Sequence, residues 1–203
     1  MKIVTSNARM RALINKALAK EGEQLLKKAS SNIRSQVVDV VRRAIAVCPE
    51  IQELSNGVLK YDFGLTEDPT SAIVSAVANS TRVSVSKITS RGGSFNGGVK
   101  IYVQPSTFSN LLSLSVGRQI IETGGSIPWL DWMLTAGDSI IISDFGVEYE
   151  TGTGRSGGAT MDKAAKPFKV NPLYSGDQSD NFITRALEPA IKEISKIVRK
   201  EFS

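Results

Sequence analysis

The longest periodic pattern in the chain runs from about residue 8 to residue 47. Met10, Leu13, Ile14, Ala17 and Leu18 recur at helical spacing, and Leu25, Leu26, Ala29, Ile33, Val37, Val40, Val41 and Ile45 extend the stripe in steps of three and four. This predicts a first helix over residues 8–47, ended by Pro49, with Gly22 and Ser30–Ser31 as its weak points. A helix of that length is more than one small domain covers, so its exposed part is expected to project and lean on a neighbour.

The next segments are shorter. A turn of helix is expected over Glu50–Leu54 before Asn56–Gly57, then a strand over Val58–Phe63, and a helix from Asp68–Pro69 to Asn79 with Ile73, Val74 and Val77 inward. Thr81–Thr89 and Val99–Gln104 both alternate apolar with polar, which predicts an antiparallel hairpin joined by a long, mobile, basic-tipped loop at 91–98. Residues 106–122 read as helical.

The segment Thr123–Glu150 holds both tryptophans. Ser126 reads as a cap, Pro128 as a first-turn residue and Gly137 as the stop of a short helix that sets Trp129, Trp132 and Met133 on one face. The β-branched run Ser139–Ser143 then reads as a buried strand, so the centre of the chain is a helix–turn–strand unit. A glycine-rich segment over 151–161 follows, then a last short strand at Phe168–Val170. Asp180 or Asn181 caps a final helix to Phe202, with Ile183, Leu187, Ile191, Ile194 and Val198 as its stripe, a kink expected at Pro189, and Lys196, Arg199 and Lys200 at its basic end. The predicted fold is α+β: one domain over residues 1–203, with a long N-terminal helix, a small mostly antiparallel sheet with a hairpin, and an amphipathic C-terminal helix.

Composition narrows the chemistry. The chain has no histidine and one cysteine, Cys48, which removes histidine-based triads, most zinc sites and any internal disulfide framework. No apolar run reaches the length of a membrane span, and the start MKIVTSNARMRAL has no apolar core of a secretory signal. The net charge of +5 is uneven: residues 1–48 carry ten Lys or Arg against Glu21, Glu23 and Asp39. Such a basic arm can meet nucleic acid or an acidic protein surface, or be a solvated helix face; no aromatic residue is interleaved to stack on bases.

The motifs give no enzyme. Gly152-Thr153-Gly154-Arg155-Ser156-Gly157 matches G-x-G-x-x-G, but the following GATMDKAAKPF opens no βαβ unit, so a flexible or interface-ordered loop is the better reading. Glu148 and Glu150 on one side of a strand, and Asp131 on the tryptophan helix, lack a partner base. Cys48 has no histidine to activate it. Arg155 and Arg185 suit bidentate pairing with carboxylates. Catalytic residues, cofactors and metals are therefore expected to be none.

The order Gly124-Gly125, Pro128-Trp129-Leu130-Asp131-Trp132-Met133-Leu134, Gly137, a β-branched strand, Gly154-Arg155-Ser156-Gly157, Met161 and Asn181-Phe182-Ile183-Thr184-Arg185-Ala186 resembles the tail-completion family of tailed bacteriophages, the Z-type minor tail components. The resemblance spans about residues 25–190. Many members carry a proline–arginine–threonine–glycine-like element soon after the first helix; Cys48-Pro49-Glu50 does not continue that way, and Arg155-Ser156-Gly157 is the nearest equivalent.

The resemblance implies a virion structural protein of the head–tail junction or tail top, assembled in the host bacterial cytoplasm. It implies a homo-oligomeric ring of six or twelve copies around the DNA channel, beside neck, tail-terminator or tail-tube proteins, with no membrane contact and no catalysis. A tail terminator, or a non-viral nucleic-acid-binding protein using the basic first helix, is the alternative. Trp129, Trp132, Met133, Arg155 and Arg185 are the candidates for core or oligomer contacts; Arg91, Lys27, Lys28 and Arg34 are the candidates for facing DNA or a partner.

Overall fold

The computed structural model describes residues 6–91, 93–120, 125–149, 152, 154–163 and 165–201. The fold is α+β, with a long N-terminal helix, three small antiparallel two-stranded sheets and a C-terminal helix. Helix α1, Asn7–Ala46, is unbroken through Gly22 and Ser30–Ser31, and Ser6 Oγ accepts from Arg9 N at 3.3 Å to cap it. Gly22 matters because of what lies against it. A Cβ there would sit 3.1 Å from Ile88 Cδ1, so the glycine lets the hairpin approach the helix closely.

Helix α2, Pro49–Asn56, begins with its proline in the first turn, and α3, Val58–Asp62, follows after Gly57. The strand expected at Val58–Phe63 is thus a helix. Leu59 and Phe63, four apart, both enter the core, and Glu53 Oε2 accepts from Val58 N at 2.7 Å where the helix starts. Helix α4, Thr70–Ser80, buries Ile73, Val77 and Ala78.

Strands β1, Arg82–Arg91, and β2, Ser94–Tyr102, form the predicted hairpin, but its loop is not the long segment expected. Pairing continues to Arg91 opposite Ser94, and Gly97 and Gly98 lie inside β2 at a register shift. Gly97 has φ +150°, and a Cβ there would lie 2.9 Å from Ile88 Cα, so the glycines serve strand pairing rather than loop freedom.

Between the hairpin and the tryptophans lie α5, Ser109–Leu112, a 3₁₀ turn at Ser115–Gly117, and the short pair β3, Gln119–Ile120, with β4, Ser126–Ile127. Helix α6 is Trp129–Thr135, with Pro128 as its N-cap. Ser126 is in β4 and does not cap it, and Gly137, with φ +57°, ends the turn that follows as expected.

The strand expected at Ser139–Ser143 reduces to one bridge, Ile142 with Phe168, and Ile140 is exposed, because no partner strand lies alongside among the described residues; there, Phe168–Val170 likewise supplies only that bridge. The sheet residues are instead β5, Gly146–Tyr149, and β6, Ala159–Asp162, which takes in the last part of the glycine-rich segment.

Helix α7, Phe182–Glu201, contains Pro189 within it. Asn181 Oδ1 accepts from Ile183 N at 3.1 Å and Thr184 N at 3.3 Å, so Asn181 is the cap. Phe182, Ile183 and Ala190 are buried, and Ala186, Leu187, Ile194 and Val198 pack on the core. Ile191 departs from the expected stripe and faces solvent, because the helix turns Ala190 inward in its place. Phe202 lies outside the described residues.

Helix α7 runs antiparallel to α1: Asn32 donates to Glu201 at 2.8 Å, and Arg43 pairs with Glu193 at 2.6 Å. The core sits on the second half of α1, where Ile33, Val37, Val41 and Ile45 meet α2, α3, α4, α6 and α7.

Candidate assembly surface

The tryptophan unit is the floor of the core. Trp129 is fully buried, and its Nε1 donates to Val116 O at 2.9 Å, which satisfies the one polar atom of the ring. Its ring lies 5.4 Å from Phe63, and Phe63 meets Phe168 edge-on at 6.2 Å. Met133 is buried beside it, while half-buried Trp132 tilts against Phe168 at 6.2 Å. These three side chains therefore sit in or against the core.

Arg185 ties three segments together. It donates to Glu50 at 2.9 Å, to Asp180 at 3.2 Å and to Ser175 O at 3.4 Å. Glu50 is a nearly buried carboxylate in the first turn of α2, where the helix N-terminus also favours its charge. Arg155 is exposed, donates to Ile120 O at 3.0 Å and lies against Gly64, so it holds the β5–β6 connection to the β3–β4 region. Both arginines make contacts within one chain.

Two buried carboxylates were not singled out from sequence. Asp62, at the end of α3, is buried and accepts from Tyr149 OH on β5; burial pushes its carboxyl above the usual aspartate range. Burial and the Asp62 contact push the Tyr149 hydroxyl up as well. Glu50 is the other, placed by the first turn of α2. Burial lifts the Cys48 thiol to about 11, which leaves it protonated and unreactive at neutral pH.

Glu148 is exposed on β5 opposite Thr160, Asp131 is half-buried on α6, and Glu150 lies outside the described residues. Among the described residues no three His, Cys, Asp or Glu side chains gather as a metal site, and no helix is long and apolar enough to cross a membrane.

The remaining feature is an arm. The first half of α1 and the β1–β2 hairpin lie together beyond the core, with Arg34 Nε donating to Thr81 O at 3.3 Å at the base and Ile88 against Gly22 farther out. A groove of about 1010 Å³ separates helix from hairpin, with Arg11, Lys16, Lys20 and Glu23 on one wall and Lys87 on the other. The sequence candidates are strung along this arm rather than gathered. Arg34 is at its base, Lys28 is exposed, Lys27 pairs with Glu23 at 2.7 Å, and Arg91 is exposed at the end of β1. Lys16, Lys20 and Lys87 face the groove, which the alternation of β1 could have indicated only once the hairpin was known to lie on α1.

On the outside of the arm, Met10, Leu13, Ile14, Leu18 and Leu25 are each between 50% and 59% exposed. The helical stripe read from sequence is therefore buried in its second half and open in its first. Compared with family models, curated proteins and solved structures, the chain matches none of them.

Proposed function

We propose that the chain is a structural subunit of a tailed-phage virion at the head–tail junction or tail top. It forms a ring around the DNA channel that completes the tail or joins it to the head, and it performs no catalysis. The observation that carries this reading is the open half of α1. A helix that builds a core with Ile33, Val37, Val41 and Ile45 in its second half, and in its first half turns a separate apolar row of Met10, Leu13, Ile14, Leu18 and Leu25 to solvent, carries a contact surface for a neighbour to complete. The resemblance of the tryptophan segment and of Asn181–Ala186 to tail-completion proteins supports the virion setting, and the basic charge of the arm suits a subunit near DNA.

Light scattering across concentration, followed by negative-stain imaging, tests it. A discrete ring, alone or nucleated by added tail tubes or filled heads, is the expected result. A strict monomer that neither tubes nor heads assemble overturns the proposal.

The groove lined by Arg11, Lys16, Lys20 and Lys87 favours a second reading, a nucleic-acid-binding arm. Binding to random duplex that falls steeply with salt supports it, and absence of binding at physiological salt removes it.

A further inference from the structure

We infer that the groove between α1 and the β1–β2 hairpin seats the sugar–phosphate backbone of a single nucleic-acid strand. The inference rests on the nucleic-acid reading of the arm, and names the form of nucleic acid it takes and the place where it lies.

The walls are cationic along their length. Asn7–Lys20 of α1 and all of Arg82–Tyr102 contain no Asp or Glu. Arg11, Lys16, Lys20 and Lys87 are exposed, and among the described residues they form no salt bridge. Glu23, the one carboxylate on the walls, is taken up by Lys27 at 2.7 Å. Four cations are therefore left for an outside anion. Arg11, Lys16 and Lys20 rise along the helix axis in steps of about 7.5 and 6 Å, so the charge is strung out rather than gathered at a point. A single-headed anion such as a fatty acid meets one of them; a polyanion meets them all.

The groove is narrow. From Asn7 to Glu23 the helix runs about 24 Å, so about 1010 Å³ leaves a section of about 40 Å², roughly 6–7 Å across. That admits the backbone of one strand. A B-form duplex, whose major groove alone is about 12 Å wide, does not enter. Nor do these side chains reach into a duplex, since a major groove admits one helix or one ribbon and here helix and ribbon face each other across them. The walls hold no aromatic residue, so bases have no platform to stack on and the strand is held by its phosphates, without regard to sequence.

An acidic peptide would instead add to β1, whose edge supplies Lys87, Ile88, Thr89 and Ser90 to the wall. That edge is interrupted. Ile88 N–H already donates to Glu23, the Ile88 side chain lies against Gly22, and the register shift between Ser86 and Thr89 bends the strand at this point. A phosphate backbone needs the cations and not an unbroken edge.

The probe is a fluorescein-labelled oligothymidylate of about 12 nucleotides, within the ~4–16 that a single-strand site covers, titrated onto the full chain by anisotropy. It is expected to bind at least ~10-fold more tightly than a random duplex of the same length, and no differently from a mixed-sequence strand. The logarithm of affinity should fall with the logarithm of salt at a slope of about −0.7 for each phosphate neutralised, about −2.8 for four. Lys16→Gln, Lys20→Gln and Lys87→Gln should each bring that slope about 0.7 nearer zero, whereas Arg9→Gln, on α1 but outside the groove, should leave it unchanged. Ala8→Leu with Ala12→Leu fills the groove without altering charge. It should abolish binding with unchanged circular dichroism, since both alanines are exposed.

A duplex bound as tightly as the single strand overturns the inference and leaves the nucleic-acid reading of the arm standing; binding of neither removes both. Equal competition by polyglutamate overturns it in favour of an acidic protein segment. Full binding by the leucine pair also overturns it, as does a slope that Arg9→Gln changes and Lys87→Gln does not, because the charge then acts from the open face of the helix. Ring formation, scored on the same samples, bears on the head–tail reading alone.

Discussion

Arg185 and Glu50 are 135 residues apart in sequence and meet at 2.9 Å, joining the first turn of α7 to the first turn of α2. Glu50 is nearly buried and its cationic partner is Arg185, so removal of the arginine strands a charge. Arg185→Ala is expected to cost about 2 kcal/mol in urea denaturation, less than the ~3–5 of a fully buried pair because the guanidinium is partly solvated. Asp180→Asn, at the exposed end of the same network, should cost less than ~0.5 kcal/mol.

Asp62 gives the chain a specific pH response. Its carboxyl is raised by burial first and by the nearby charge of Glu53, with the Tyr149 hydroxyl opposing. A raised folded-state value means the folded chain holds this proton more tightly than the unfolded one. The associated stability is therefore complete below the ordinary aspartate value and is lost as pH rises through the folded one. Asp62→Asn keeps an oxygen to accept from Tyr149 and removes the ionisation. Its urea midpoint relative to wild type is expected to improve from pH 3.5 to pH 7, with pH values chosen to bracket the ~3.9 of an unperturbed aspartate. A difference that is flat with pH would refute this.

Trp129 separates packing from hydrogen bonding. Trp129→Ala should cost about 3–5 kcal/mol by opening a cavity beneath Phe63. Trp129→Phe fills most of that space but leaves Val116 O without its donor, and should cost about 1–3 kcal/mol. Calorimetry on both variants gives the order.

Gly146 is fixed by space rather than by φ. A Cβ there would lie 1.8 Å from Lys166 O, so Gly146→Ala must push the two segments apart, at a cost of about 2 kcal/mol or more. Gly98→Ala, in open space but at φ +157°, should be milder.

Cys48 should resist iodoacetamide at pH 8 in the native chain and react fully in urea, since burial both hides the thiol and raises it to about 11. Rapid native labelling would show that the α1–α2 corner opens.

The sequence made the long elements legible and the short ones much less so. Helix α1 repeats its period over many turns, and β1 and β2 alternate long enough to exclude other readings. Val58–Phe63 is too short for period to decide, since Leu59 and Phe63 fit a helix face while the β-branched and aromatic content suggests a strand. The run Ser139–Ser143 has strand-like residues, but strands need partners, and among the described residues its only one is Phe168. Periodicity also marks an apolar face without saying what covers it, which is why one stripe on α1 could be read while its division into a buried and an open half could not. The Glu50–Arg185 pair left no local trace because chain separation hides it.

The packing of α7 on α1 has a consequence for biosynthesis. The two helices that close the core are separated by the whole of the intervening chain, and loop closure must come before their contacts can contribute. The apolar face of α1 that Ala186, Leu187 and Ile194 cover is made early and covered late. A ribosome-bound nascent chain therefore carries this helix with that side still open, and the protein completes its fold only after α7 has emerged from the exit tunnel.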